Sequence, residues 1–119
     1  MTAKESRLVV REEDEIVKVS FLDRNILEEA YIQQIGDEIS SLIDGSTNPK
    51  ILLNFANVEH LSSAALGTLI TINNKVRQKG GQLRLSNIDP QIYEVFVITK
   101  LNKLFQIHEE ADAALASFQ

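Results

Sequence analysis

Apolar residues near the start of the chain come in two short, largely β-branched blocks, Leu8-Val9-Val10 and then Ile16, Val17, Val19 and Phe21. Such blocks suit a pleated, half-buried surface, and the acidic run Glu12-Glu13-Asp14-Glu15 between them predicts a solvated turn that joins two strands of a hairpin. The spacing then changes. Beyond the polar corner Leu22-Asp23-Arg24-Asn25, apolar positions at Leu27, Tyr31, Ile35, Ile39 and Leu42 predict a helix that Gly45, Ser46, Asn48 and Pro49 bring to an end. Ile51, Leu52, Leu53 and Phe55 form a nearly continuous apolar run, the pattern of a strand covered on both faces.

Helical spacing returns with Ala65, Leu69, Ile72 and Val76, widened by Leu66 and Ile70. Ser62 is the natural N-cap and Ser63 the first helical residue; the helix runs to Lys79, where Gly80-Gly81 stops it. Gln82 to Ser86 alternates polar and apolar through Leu83 and Leu85 and reads as a strand. Asp89 and Pro90 start another helix, expected to turn Ile92, Val95, Phe96 and Thr99 inward. Leu104 to Ile107 reads as a last short strand, and Glu110 to Phe118 as an amphipathic terminal helix. Strands alternating with helices predict an α/β fold: a mixed sheet flanked by about four α-helices.

A chain of 119 residues is expected to form one domain spanning 1–119, with its core between about residues 8 and 118. The formal charge of −5 disfavours nucleic acid and anionic membrane, which need a basic surface, so a protein partner fits better. Without cysteine there is no disulfide framework and no thiolate metal site. No apolar run approaches the roughly 20 residues of a membrane span, the N-terminus lacks a signal-peptide core, and a cytoplasmic protein is expected.

The residues supply no catalytic centre. His60 and His108 are the only histidines, and neither has the spacing of a metal ligand set, so neither metal nor cofactor is expected. His60 lies two residues before Ser62, but that serine lacks the Gly-x-Ser-x-Gly turn of a hydrolase nucleophile. The carboxylate pairs at Glu12 to Glu15, Glu28-Glu29 and Glu109-Glu110 lie in solvated runs. What remains is Ser62-Ser63. One hydroxyl is used as a cap, while its neighbour at the first helical position is free for modification, where the positive end of the helix favours an anionic group.

Ile51-Leu52-Leu53-Asn54-Phe55, Val58 and Leu61-Ser62-Ser63-Ala64-Ala65-Leu66-Gly67 resemble the core of the STAS domain, typified by bacterial anti-sigma factor antagonists. The resemblance continues through Gly80-Gly81-Gln82-Leu83-Arg84-Leu85, the Asp89-Pro90 helix and Leu101 to Ile107. It implies a regulator that binds a kinase-type anti-sigma factor, is switched off when a serine kinase phosphorylates it, and is restored by a phosphatase. The acceptor serine falls on Ser63, with Ser62 the alternative. Asp23 matches an acidic position near that site, and the implied partner surface comprises Asp23, Arg24, Asn25, Asn57, His60, Ser62, Ser63 and Ala64. The chain departs from the family pattern where Ser62 replaces an aspartate, Ala64-Ala65 replaces Ser-Gly, and Lys100 replaces a glycine. Loss of the aspartate removes a negative charge beside the acceptor. The other reading of the resemblance is a scaffold or sensor-complex subunit that uses the fold for assembly, its serines serving only as cap and surface.

Overall fold

The structure is a computed structural model that describes residues 8–118. Strands β1 (Leu8–Glu13) and β2 (Ile16–Phe21) form the hairpin, with Glu13 opposite Ile16, so that Asp14 and Glu15 alone make the turn. Both turn residues have positive φ, 52° and 69°, as a two-residue connection matched to strand twist requires. The predicted acidic turn is therefore narrower than expected, because Glu12 and Glu13 pair within the strand.

The chain then forms β3 (Asn25–Ile26), α1 (Glu29–Asp44), β4 (Lys50–Asn54), β5 (His60–Leu61), α2 (Ser63–Gln78) and β6 (Gln82–Ser86). It ends with α3 (Pro90–Ile98), a 3-10 turn at Leu101–Lys103, β7 (Gln106–His108) and α4 (Ala111–Ala116). The main sheet has the order β1-β2-β4-β6-β7, parallel except for the antiparallel pairing of β1 with β2. β4 is central, which explains its continuous apolar run. Ile51 and Leu53 enter the main core, whereas Leu52 points to the opposite face and meets Ile16 and Ala114. Burying one such side chain fully stabilises the fold by about 1.5–3 kcal/mol.

On the first face α1 and α2 pack against one another. Gly36 permits their approach, since a Cβ there would lie 3.0 Å from Thr68 Cγ2. Helix α2 closes as predicted: Gly80 adopts a φ of 71°, the Gly80 amide donates to the Arg77 carbonyl at 3.0 Å, and the Gly81 amide to that of Val76 at 2.9 Å. Helix α4 covers the other face. There the Arg84 guanidinium is buried; its Nε donates to Ser117 Oγ at 2.9 Å and its Nη2 to Gln82 Oε1 at 3.0 Å, while its central carbon lies 5.0 Å from the Phe118 ring centroid. Burial pushes its pKa below the ordinary value. Among the described residues its partners are neutral oxygens, including the Ser117 carbonyl at the negative end of α4, and they fasten the C-terminal segment to the sheet.

Three expectations about faces and boundaries need correction. The inward stripe of α1 is Ile32, Ile35, Ile39 and Ile43; Tyr31 and Leu42 flank it half-buried, and Leu27 lies before the helix with 52% of its surface exposed. Helix α3 buries only Ile92 and Phe96, leaving Val95 and Thr99 exposed, because a single nine-residue helix seated on the core edge can turn only one narrow strip inward. The last strand begins at Gln106 rather than Leu104, since Leu104 closes the 3-10 turn with its amide bonded to the Leu101 carbonyl at 3.0 Å.

Candidate functional site

Helix α2 begins where the sequence places it. Ser62 has extended backbone angles (φ −82°, ψ 165°) and its Oγ accepts from the Ala65 amide at 3.2 Å, while its carbonyl accepts the first helical bond from Leu66 at 3.2 Å. Ser62 is half-buried; Ser63 and Ala64 are exposed. Among the described residues, neither the Ser63 hydroxyl nor the amides of Ser63 and Ala64 have a hydrogen-bond partner. The start of α2 thus presents a free hydroxyl beside two free donors.

A segment distant in sequence is drawn to this helix start. Asn25 and Ile26 pair in parallel with His60 and Leu61 as a two-stranded sheet, a feature the local pattern did not reveal. The amides of Glu59 and His60 both donate to the Arg24 carbonyl, at 2.7 and 3.0 Å, and the Ser62 amide donates to the Ile26 carbonyl at 3.1 Å. Ile26 is 2% exposed and anchors the arrangement in the core. Asn57 Nδ2 reaches the Phe21 carbonyl at 3.2 Å, tying the loop to the end of β2. Arg24, Asn25, Asn57 and His60 are exposed and Asp23 is half-buried; of these, Arg24, Asn25 and His60 belong to the paired segments that lead into Ser62. Arg24 Nε lies 3.4 Å from Glu59 Oε2 across that junction, an exposed pair worth at most about 1 kcal/mol.

Apolar residues adjoin this helix start, among them Leu27 and Val95, which the sequence pattern turns inward. Leu27, Leu61, Leu66, Ile92 and Val95 line a groove of about 290 Å³, with Glu59 and His60 at its rim. Leu66 is on the first turn of α2 and Leu61 immediately precedes the cap, so the groove reaches the start of α2, although Ser62 and Ser63 do not line it. A second hollow of about 500 Å³ lies on the other side of the corner, lined by Asp23, Asn25, Glu28 and Tyr31 among others. Among the described residues, no three His, Asp or Glu side chains are grouped so as to hold a metal ion.

A mixed sheet with crossover helices, headed at one end by this serine-capped helix start, defines a small α/β domain with the STAS fold. The chain belongs to the STAS domain family, whose model matches residues 10–114. It is similar to BtrV of Bordetella bronchiseptica, a protein named as a candidate anti-sigma factor antagonist, with 25% identity over 96 residues that cover 81% of this chain and 82% of that one. Its fold resembles that of an anti-sigma-factor antagonist STAS protein from Planctomyces limnophilus, with a TM-score of 0.82 at 20% identity, covering 92% of this chain and 96% of that one. SpoIIAA of Bacillus, solved in its phosphorylated form, aligns with a TM-score of 0.68 at 21% identity over 89% of this chain and 95% of that one.

Proposed function

We propose that this protein is a cytoplasmic regulator that binds a kinase-type anti-sigma factor through the surface around the start of α2 and is switched off by phosphorylation of Ser63. The exposure of Ser63 beside a serine already committed to capping carries the reading. The similarity to BtrV and to a fold relative solved with its phosphate supports it. A phosphate on Ser63 adds a charge of roughly −1.5 to −2 on the same helical turn as Leu66, which lines the apolar groove. The free Ser63 and Ala64 amides and the positive end of α2 accommodate that charge, so the domain stays folded. A partner fitted to the groove, by contrast, would have to cover a doubly charged, strongly hydrated group, and it dissociates. A phosphatase reverses the change.

The test is to isolate the protein from its native cells with whatever co-purifies and to map phosphate by mass spectrometry. Ser63→Asp should weaken partner binding, whereas Ser63→Ala should keep binding and abolish phosphorylation. Phosphorylation of Ser63→Ala to the wild-type extent would move the acceptor to Ser62. A large stable assembly that never carries phosphate would replace the switch with the scaffold reading.

A further inference from the structure

Seven large apolar side chains stand exposed among the described residues, and four of them, Tyr93, Val95, Val97 and Ile98, belong to the nine-residue helix α3. Val95 lines the groove described above, but the outermost ridge of α3 points elsewhere. Ile92 and Phe96 face the core, so the opposite side of the helix carries Glu94 with Val97 and Ile98 three and four residues further on. Ile98 is 79% exposed, the most of the seven, and with Val97 beside it the exposure is a patch rather than a single residue.

The charges flanking this ridge are self-complementary. Glu94 precedes Val97 by three residues and Lys100 follows it by three; both are exposed, and neither has an ion partner among the described residues. They do not pair with one another within the chain. Lys100 is also held at a φ of 64°, a left-handed conformation that glycine adopts far more easily. The backbone cost is borne at the position where a cation would complete the pattern.

We infer that α3 is a self-association surface that takes a second copy of this chain, the two helices antiparallel about a two-fold axis near Val97. That symmetry sets Val97 and Ile98 of one copy against the same residues of the other and brings each Glu94 to the opposite Lys100, the self-complementarity an isologous interface demands. A contact built on one short helix is small, so the dimer is concentration-dependent. Ser63 lies outside the contact, and the pairing does not depend on the phosphate switch.

Sedimentation velocity on the purified, unphosphorylated full chain tests this. A reversible dimer should grow in as concentration rises to about 500 µM, the range in which a small interface is populated. Ile98→Lys, a change at a highly exposed site that should leave the circular dichroism spectrum unaltered, should keep the chain monomeric throughout. Glu94→Lys should raise the dissociation constant about tenfold at low salt, and combining it with Lys100→Glu should restore dimerisation. A wild-type monomer across the whole range would overturn the proposal and leave the ridge to a different protein. A dimer indifferent to Ile98→Lys, or a charge swap that fails to rescue, would overturn it equally.

Discussion

The Ser62 hydroxyl accepts from the Ala65 amide, so removing it strips one of the unpaired donors at the start of α2 of its side-chain acceptor. Ser62→Ala should cost about 1 kcal/mol. Ser63, with no hydrogen bond to lose among the described residues, should change stability by no more than about 0.5 kcal/mol when replaced by Ala. Chemical denaturation of the unphosphorylated variants, read as midpoint shifts at unchanged slope, distinguishes them. A large loss at Ser63 with none at Ser62 would make Ser63 the cap and weaken it as the acceptor. Lys100 offers a second measurement of the same kind. Its amide donates to the Val97 carbonyl at 3.1 Å in a left-handed cap. Lys100→Gly should keep that bond without the Cβ conflict and raise stability by up to about 1 kcal/mol, while weakening the α3 dimer. Unchanged or lowered stability would show that the lysine carries no strain there. The serine pair was legible in the sequence because capping chemistry is decided within three residues. The groove beside it was not, since Leu27, Leu61, Leu66 and Val95 meet only through tertiary contacts, and a pattern that equates apolar with buried assigned Leu27 and Val95 to the interior.

At the level of elements, what the chain's local pattern announces is what depends on neighbours close in sequence. The hairpin, the run in β4, the glycine stop of α2 and the Asp89-Pro90 start of α3 all carry their own signals, and Asp89 Oδ1 indeed accepts from the Gln91 amide at 2.9 Å. Elements that exist by virtue of a distant partner were missed. The β3 strand has only two residues and is held by β5, 35 positions away, so no periodicity could develop in either. The displaced stripe of α1 has a different origin: apolar residues at positions 31 and 32, and again at 42 and 43, offer two adjacent rows, and packing against α2 and the sheet selects the isoleucine row. Arg84 shows the same dependence on distant partners. As part of an alternating strand it reads as a solvent-facing residue, yet the C-terminal segment folds over it and supplies the oxygens and the ring that make its burial tolerable.

Across the whole molecule, the charge is unevenly placed, and this bears on how a partner would approach. Between residues 28 and 44 there are Glu28, Glu29, Asp37, Glu38 and Asp44 and no Lys or Arg, so this one segment accounts for the chain's formal −5 while the remainder balances. Helix α1 follows directly from the corner that carries Arg24, leaving that arginine as a positive point at the junction of an acidic face with the serine site. The hairpin turn at Asp14 and Glu15 sits at the opposite end of β2 from this corner, about 17 Å away for a six-residue strand, or two Debye lengths at physiological salt. Reversing a charge in that turn should therefore be screened from a partner seated at α2. Reversing Arg24 should not, because it replaces the pairing with Glu59 by repulsion and remodels the rim of the groove. Arg24→Glu is expected to weaken partner affinity by about tenfold, chiefly through slower, salt-sensitive association, while Glu15→Lys shifts it by less than about twofold. Surface plasmon resonance at physiological and raised salt would measure both. An effect of Glu15→Lys equal to that of Arg24→Glu, and surviving in high salt, would place the partner at the hairpin end of the sheet and remove it from the serine site altogether.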